Sequence, residues 1–175
     1  KEWYQAGAIG DIEEVIIYNR GPLFGPDKSF RLPSTLPPEP EAEPTHLNWD
    51  LWKGPTASDI KYNNIYLPKS WRSFFQFGNG QLGDWICHTF DAPFWALELG
   101  MPSSIKVRDI ENPYPGIVAQ SSVVEWTFPR KGKSPLKVSW YEGRKPLTNP
   151  TNGEREWDDD FNMAMVGNKG VIAHN

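Results

Sequence analysis

The chain has 175 residues, enough for one domain with a core, and carries a net charge of −4 with no Lys/Arg-rich face, which argues against a nucleic-acid partner. No apolar run approaches the length of a membrane span, and no signal peptide is seen. The single cysteine, Cys87, excludes an internal disulfide and a thiolate zinc site and leaves the compartment open, cytoplasmic or periplasmic.

Residues Lys1 to Ala8 read as the tail of a helix that stops at Gly7 or Gly10. The chain starts on Lys1 and ends just past an apolar run, as expected of a piece excised from a longer protein. Next comes I-E-E-V-I-I-Y-N-R, Ile12 to Arg20. Its adjacent β-branched residues predict a strand buried on both faces, and its polar end, Tyr18-Asn19-Arg20, suits either a cleft or an ordinary edge.

Residues 21–70 differ in kind. Proline recurs too often there for a helix or a central strand. The part from Pro33 to Pro44 predicts an exposed, extended acidic arm. The part from Asn48 to Tyr66 carries Trp49, Leu51, Trp52, Tyr62, Ile65 and Tyr66, which have to bury area over the site or a neighbouring subunit. The chain has nine Trp and 17 Pro, many of both in the first half, and a Trp-rich surface suits stacking on sugars as well as core filling.

The stretch W-R-S-F-F-Q-F follows, with Trp71, Phe74, Phe75 and Phe77 as anchors and Arg72 as a fixed donor for hydroxyl or carboxylate oxygens, or a structural ion-pair partner. It leads into G-N-G-Q-L-G-D-W-I-C-H-T-F-D, where three glycines (Gly78, Gly80, Gly83) give way to a helix expected to begin near Leu82. Asp84, His88 and Asp91 are spaced by four and three residues, so all three share one helical face. That stripe suits general acid/base chemistry, or else an N-terminal helix charge beside a core histidine. Pro93 predicts a kink or restart, capped by Asp91, and Leu99-Gly100-Met101-Pro102 predicts the stop.

The remainder reads as strands. Ser104 to Asp109 is short. Val124, Trp126 and Phe128 alternate with polar residues, as do Leu136, Val138 and Trp140 after a P-R-K-G-K-S-P loop, which suits an antiparallel pair. Asn149 to Asp160 is polar; its D-D-D run suits a solvated turn far better than calcium. The word G-N-K-G between Met163–Val166 and Val171–Ala173 predicts a hairpin. The expected fold is α+β: an open, mostly antiparallel sheet with helices on one face, plus a long Pro/Trp-rich arm.

Cys87 and His88 point about 100° apart on a helix, so they make a poor dyad. No nucleophile elbow, P-loop or dinucleotide fingerprint is expected, and no metal ligand is assigned, since no other His-rich segment supports Asp84, His88 and Asp91.

The runs W-D-L-W-K-G-P, W-R-S-F-F-Q-F-G-N-G and G-D-W-I-C-H-T-F-D, with the opening A-G-A-I-G-D-I-E-E-V and the closing G-N-K-G-V-I, together resemble the C-terminal domain of the Gfo/Idh/MocA oxidoreductases, in the bacterial branch with a Trp-rich insertion. The resemblance covers nearly the whole chain. It implies one C-terminal domain over 1–175, with an insertion arm over 21–70, and an N-terminal Rossmann domain lying elsewhere that binds NAD or NADP. It implies a sugar, polyol or derivative as substrate, a homo-oligomer, and no nucleic-acid or membrane partner. His88 and Asp84 match the family's catalytic pair. Asp91, Arg72, Trp71, Arg20, Trp49, Trp52 and Tyr62 are the expected substrate contacts, and Asn79 departs from the family's usual Gly-rich word. Alone, the chain is expected to be inactive. An NAD-dependent glycosidase of the same family, a non-catalytic carbohydrate-binding or assembly module, and a metal hydrolase stay open as alternatives.

Overall fold

The computed structural model describes residues 1–22, 30–56, 59–112, 114–151, 153, 157 and 161–175. Six strands form one open sheet: β1 (Ile12–Asn19), β2 (Ser104–Glu111), β3 (Ser121–Arg130), β4 (Lys133–Glu142), β5 (Met163–Gly167) and β6 (Gly170–His174). Their order is β2-β3-β4-β1-β5-β6. Every neighbouring pair is antiparallel except β1 and β4, which run parallel, so the α+β sheet is mixed and mostly antiparallel.

The Val15-Ile16-Ile17 run explains the central place of β1. Side chains alternate across a strand, and here both faces are covered. Val15 and Ile17 join Val138, Trp140, Met163 and Met165 in the main core, while Ile16 and Tyr18 pack with Ala164 and Trp157 on the other side. Three helices accompany the sheet among the described residues: α1 (Glu2–Gln5), α2 (Trp49–Lys53) and α3 (Gly80–Ala96). Leu82, Ile86 and Phe90 of α3, together with Tyr4 of α1, pack on the main core. The Phe90 ring lies 5.9 Å from that of Phe128 and 6.4 Å from that of Trp126. Among the described residues, Trp157 and Phe161 rather than a helix cover the opposite face.

Four expectations are corrected. The first concerns α3, which runs unbroken through Pro93. That proline is fully buried and lies in the last turn; it forgoes the bond to the Thr89 carbonyl, but the helix closes beyond it, Leu97 N–H bonding the Pro93 carbonyl at 3.0 Å. Asp91 is thus inside a continuous helix and caps no restart. Second, the loop expected between β3 and β4 is almost all strand. Arg130 pairs with Lys133 across Lys131-Gly132, and a register shift between Phe128 and Arg130 takes up Pro129.

The third correction is in the proline-rich stretch, which does contain a helix. Asn48 caps α2 by accepting the Leu51 N–H, and Gly54 at φ 58° ends it. Fourth, the described part of 21–70 folds back around Trp49 and does not show the long arm expected there. Trp49, Tyr62, Ile65, Tyr66, Phe74 and Ile117 form an aromatic core of their own. The segment from Pro33 to Pro44 is mostly exposed but tied down, with Asn63 Nδ2 donating to the Glu39 carbonyl at 2.7 Å and Glu41 N–H to the Tyr62 carbonyl at 2.8 Å. The D-D-D run, residues 158–160, lies outside the described residues. No helix among the described residues is long and apolar enough to cross a membrane.

Candidate functional site

The site grows out of the turn that starts α3. Gly80 has φ 70°, and a Cβ there would lie 3.1 Å from the Val118 side chain, so the chain bends sharply into the helix at a position that suits only glycine. Gly83 admits the Asn79 side chain, whose Oδ1 would lie 2.1 Å from a Cβ at that position. Asn79 does not cap the helix by a side-chain hydrogen bond. Glu142, at the end of β4 and 4% exposed, reaches the helix start instead. It accepts hydrogen bonds from the Gln81 backbone N–H, the Trp140 indole N–H (3.3 Å) and the Ser122 hydroxyl (3.2 Å). Burial pushes its carboxyl above the usual range, and these hydrogen bonds pull it partly back.

One turn further along, Asp84 meets Arg72. The Arg72 Nε donates to Asp84 Oδ2 at 2.7 Å, both side chains being about one-third exposed (29% and 34%). The same guanidinium lies 4.5 Å over the Trp71 ring, which fixes its plane. His88 follows a turn later and touches Trp85 edge-on, ring centroids 5.1 Å apart. Among the described residues the imidazole makes no hydrogen bond, to Asp84 or to any other group. Asp84, Arg72 and His88 line a cleft of about 330 Å³ with Phe30, Lys69, Gln81 and Trp85. A second cleft, of about 400 Å³, adjoins it and shares Gln81 and Trp85; Tyr18, Asn19 and Arg20 of the β1 end line it. There Gly21, at φ 84°, lets the β1 end pass against Gly143 after β4.

The structure therefore brings His88, Asp84 and Arg72 together, with Arg20 in the adjoining cleft and Trp71 beneath Arg72. It does not bring in the rest. Asp91 is exposed on α3 and lines neither cleft. Trp49 and Tyr62 are 3% and 4% exposed in the aromatic core, and Trp52 stacks on Trp49 at 5.1 Å. The Trp49 indole N–H is held by the Ile60 carbonyl at 2.9 Å. A larger cleft, about 710 Å³, runs along the proline-rich segment, where Arg31 and Glu41 both bond Asn64.

Four contributors carried little sequence signal: Gln81, Trp85, Lys69 and Glu142. Trp85 adjoins Asp84, and Glu142 is a charge closing an apolar strand; these are the only hints.

No dinucleotide fingerprint is expected from the sequence, yet Gly78, Gly80 and Gly83 do fall on G-x-G-x-x-G spacing. The geometry does not fit a pyrophosphate. A turn around Phe74 rather than a strand leads into the glycines, since Phe77 and Gly78 N–H both bond the Phe74 carbonyl at 2.9 Å. A buried carboxylate already takes the Gln81 N–H, where a phosphate would sit. The described residues form no cradle for NAD or NADP, and no group of three or more His, Cys, Asp or Glu among them is placed to hold a metal. No family model and no curated protein matches the chain.

Proposed function

We propose that this domain is the substrate-binding and proton-transfer half of an NAD(P)-dependent oxidoreductase acting on a sugar, a polyol or a derivative. The cofactor is then carried by a Rossmann domain outside this chain, as the resemblance to the Gfo/Idh/MocA enzymes implies. The observation that supports this reading is the cleft in which a fixed carboxylate and an unengaged imidazole stand one helical turn apart.

Each residue has a task this geometry suits. Arg72 holds Asp84 through one oxygen and leaves the other to accept a substrate hydroxyl. His88, with no protein hydrogen bond among the described residues, takes the proton of a neighbouring hydroxyl as a general base. Trp85, 42% exposed, offers a ring face on which a sugar stacks. A homo-oligomer belongs to the same proposal; β2 leaves Ile105, Val107 and Ile110 about 60% exposed (61%, 60% and 58%).

The test uses the full-length protein with its native upstream region. Denatured protein is assayed for released nicotinamide dinucleotide, and turnover of sugars and polyols is followed in wild type and in His88→Ala. Bound or titratable dinucleotide, with turnover lowered by about 10²–10⁴-fold in the variant, is expected for loss of a general base. Absence of any dinucleotide binding would sink the redox reading, and unchanged turnover in His88→Ala would remove His88 from catalysis. Sugar binding without either would leave a carbohydrate-binding module.

A further inference from the structure

We propose that the ligand of this site is an anionic polyol, a sugar acid or a sugar phosphate. Its charged end lies against Arg20, and its hydroxyls cross Gln81 and Trp85 toward Asp84 and His88. The proposal rests on the reading of a polyol site above and adds the charge class and direction of the ligand.

The first support is the charge lining the two clefts. Among the described residues Arg20, Lys69 and Arg72 face them, against one side-chain carboxylate, Asp84. Arg72 neutralises that carboxylate at 2.7 Å. Arg20 and Lys69 are left without a carboxylate partner among the described residues, in a chain whose net charge is −4. A local excess of cations in an acidic protein raises the local concentration of anions. Among the described residues the second cleft has no side-chain carboxylate in its lining, and the Arg20 fork there matches a carboxylate or phosphate, so the anionic end is assigned to it.

The second support is Gln81, which belongs to both clefts and is 9% exposed. Its Oε1 has no hydrogen-bond partner among the described residues. A buried acceptor left unpaired is unfavourable, and the terminal amide torsion of Gln is soft, so the oxygen turns readily toward a donor. A ligand hydroxyl passing between the clefts supplies that donor. The third support is Lys69, held at φ 75° and ψ −52°, a backbone state rare for a residue with a side chain. Such strain clusters at sites where a side chain must be aimed.

The experiment titrates the protein with hexonates, hexuronates and hexose 6-phosphates, each beside its neutral hexitol or hexose, with inorganic phosphate as control. Calorimetry reads the affinities in wild type and in Arg20→Gln, an exposed position whose replacement leaves the fold intact. Saturable binding of an anionic polyol at least about tenfold tighter than its neutral counterpart, lost in Arg20→Gln, is the expected result for a charge-assisted contact. Whether carboxylates or phosphates show that preference identifies the source of the charge. Neutral polyols binding equally well, or Arg20→Gln leaving the preference intact, would overturn the anionic class and leave the proposed function standing. Inorganic phosphate binding as tightly as the sugar anions would overturn the polyol part. Failure of every polyol, charged and neutral, would overturn both readings.

Discussion

Glu142 offers the sharpest test of how the sheet supports the site. Replacing it with Gln keeps an acceptor beside the Trp140 indole, the Ser122 hydroxyl and the first turn of α3, and removes the buried charge. None of those three partners is charged. Burial raises the folded-state pKa above the unfolded value of 4.5, so the native protein holds an extra proton in the window between the two. Stability attributable to this group therefore falls as pH rises from that unfolded value through the folded one, and is lowest above it. The slope for one proton is at most about 1.4 kcal/mol per pH unit. Glu142→Gln is expected to match or exceed wild type at pH 7, the gap closing as pH drops toward 5. Glu142→Ala strips the acceptor and costs about 1–3 kcal/mol at every pH, because buried donors lose their partner. Urea unfolding at pH 5, 6, 7 and 8 measures both variants. A Gln variant clearly less stable than wild type at pH 7, or a gap that does not change with pH, would refute the reasoning.

Two further outcomes separate site from scaffold. Asp84→Asn breaks a partly exposed ion pair, so its stability cost stays below about 1 kcal/mol by urea unfolding, while ligand binding and turnover fall sharply. Gly21→Ala does the reverse. The positive φ alone costs about 1–2 kcal/mol, and the added Cβ would lie 2.6 Å from the Gly143 backbone, which has no flexible end to move aside. Urea unfolding should show the loss, and an unchanged midpoint would mean that the close approach of β1 and β4 is not as described.

Local pattern carried most of the sheet. The Val15-Ile16-Ile17 run, the alternation around Trp126 and Trp140, and the G-N-K-G turn are each properties of a few neighbouring residues, and each element forms where its pattern stands. The turn-then-helix entry and the shared face of Asp84 and His88 were equally local. What stayed hidden depends on distant partners. Nothing near β1 says that it pairs parallel with β4, since a parallel pair needs no particular residue. Trp49 and Tyr62 have the chemistry of a sugar platform and of a core alike, and only packing against Phe74 and Ile117 decides between them. Arg72 lay open between substrate donor and ion pair; its bond to Asp84 makes it the second, at the edge of the first. Gln81 is an ordinary helical residue until Glu142 and the two clefts surround it.

The central position of β1 also orders events during synthesis. Of the six strands it is made first, yet both of its neighbours, β4 and β5, come from the last third of the chain. Until those emerge, an apolar segment that ends buried on both faces has no native partner. Contacts between such distant residues close large loops, which slows folding and prolongs the exposure of sticky intermediates. Glu13 and Glu14, set in front of Val15-Ile16-Ile17, put two negative charges beside that run throughout the wait. Charges flanking an unavoidable apolar strand act as gatekeepers against self-association. In the finished fold Glu14 is re-employed, pairing with Lys137 of β4 at 2.9 Å, so the guard of the nascent strand becomes a register mark for its parallel partner.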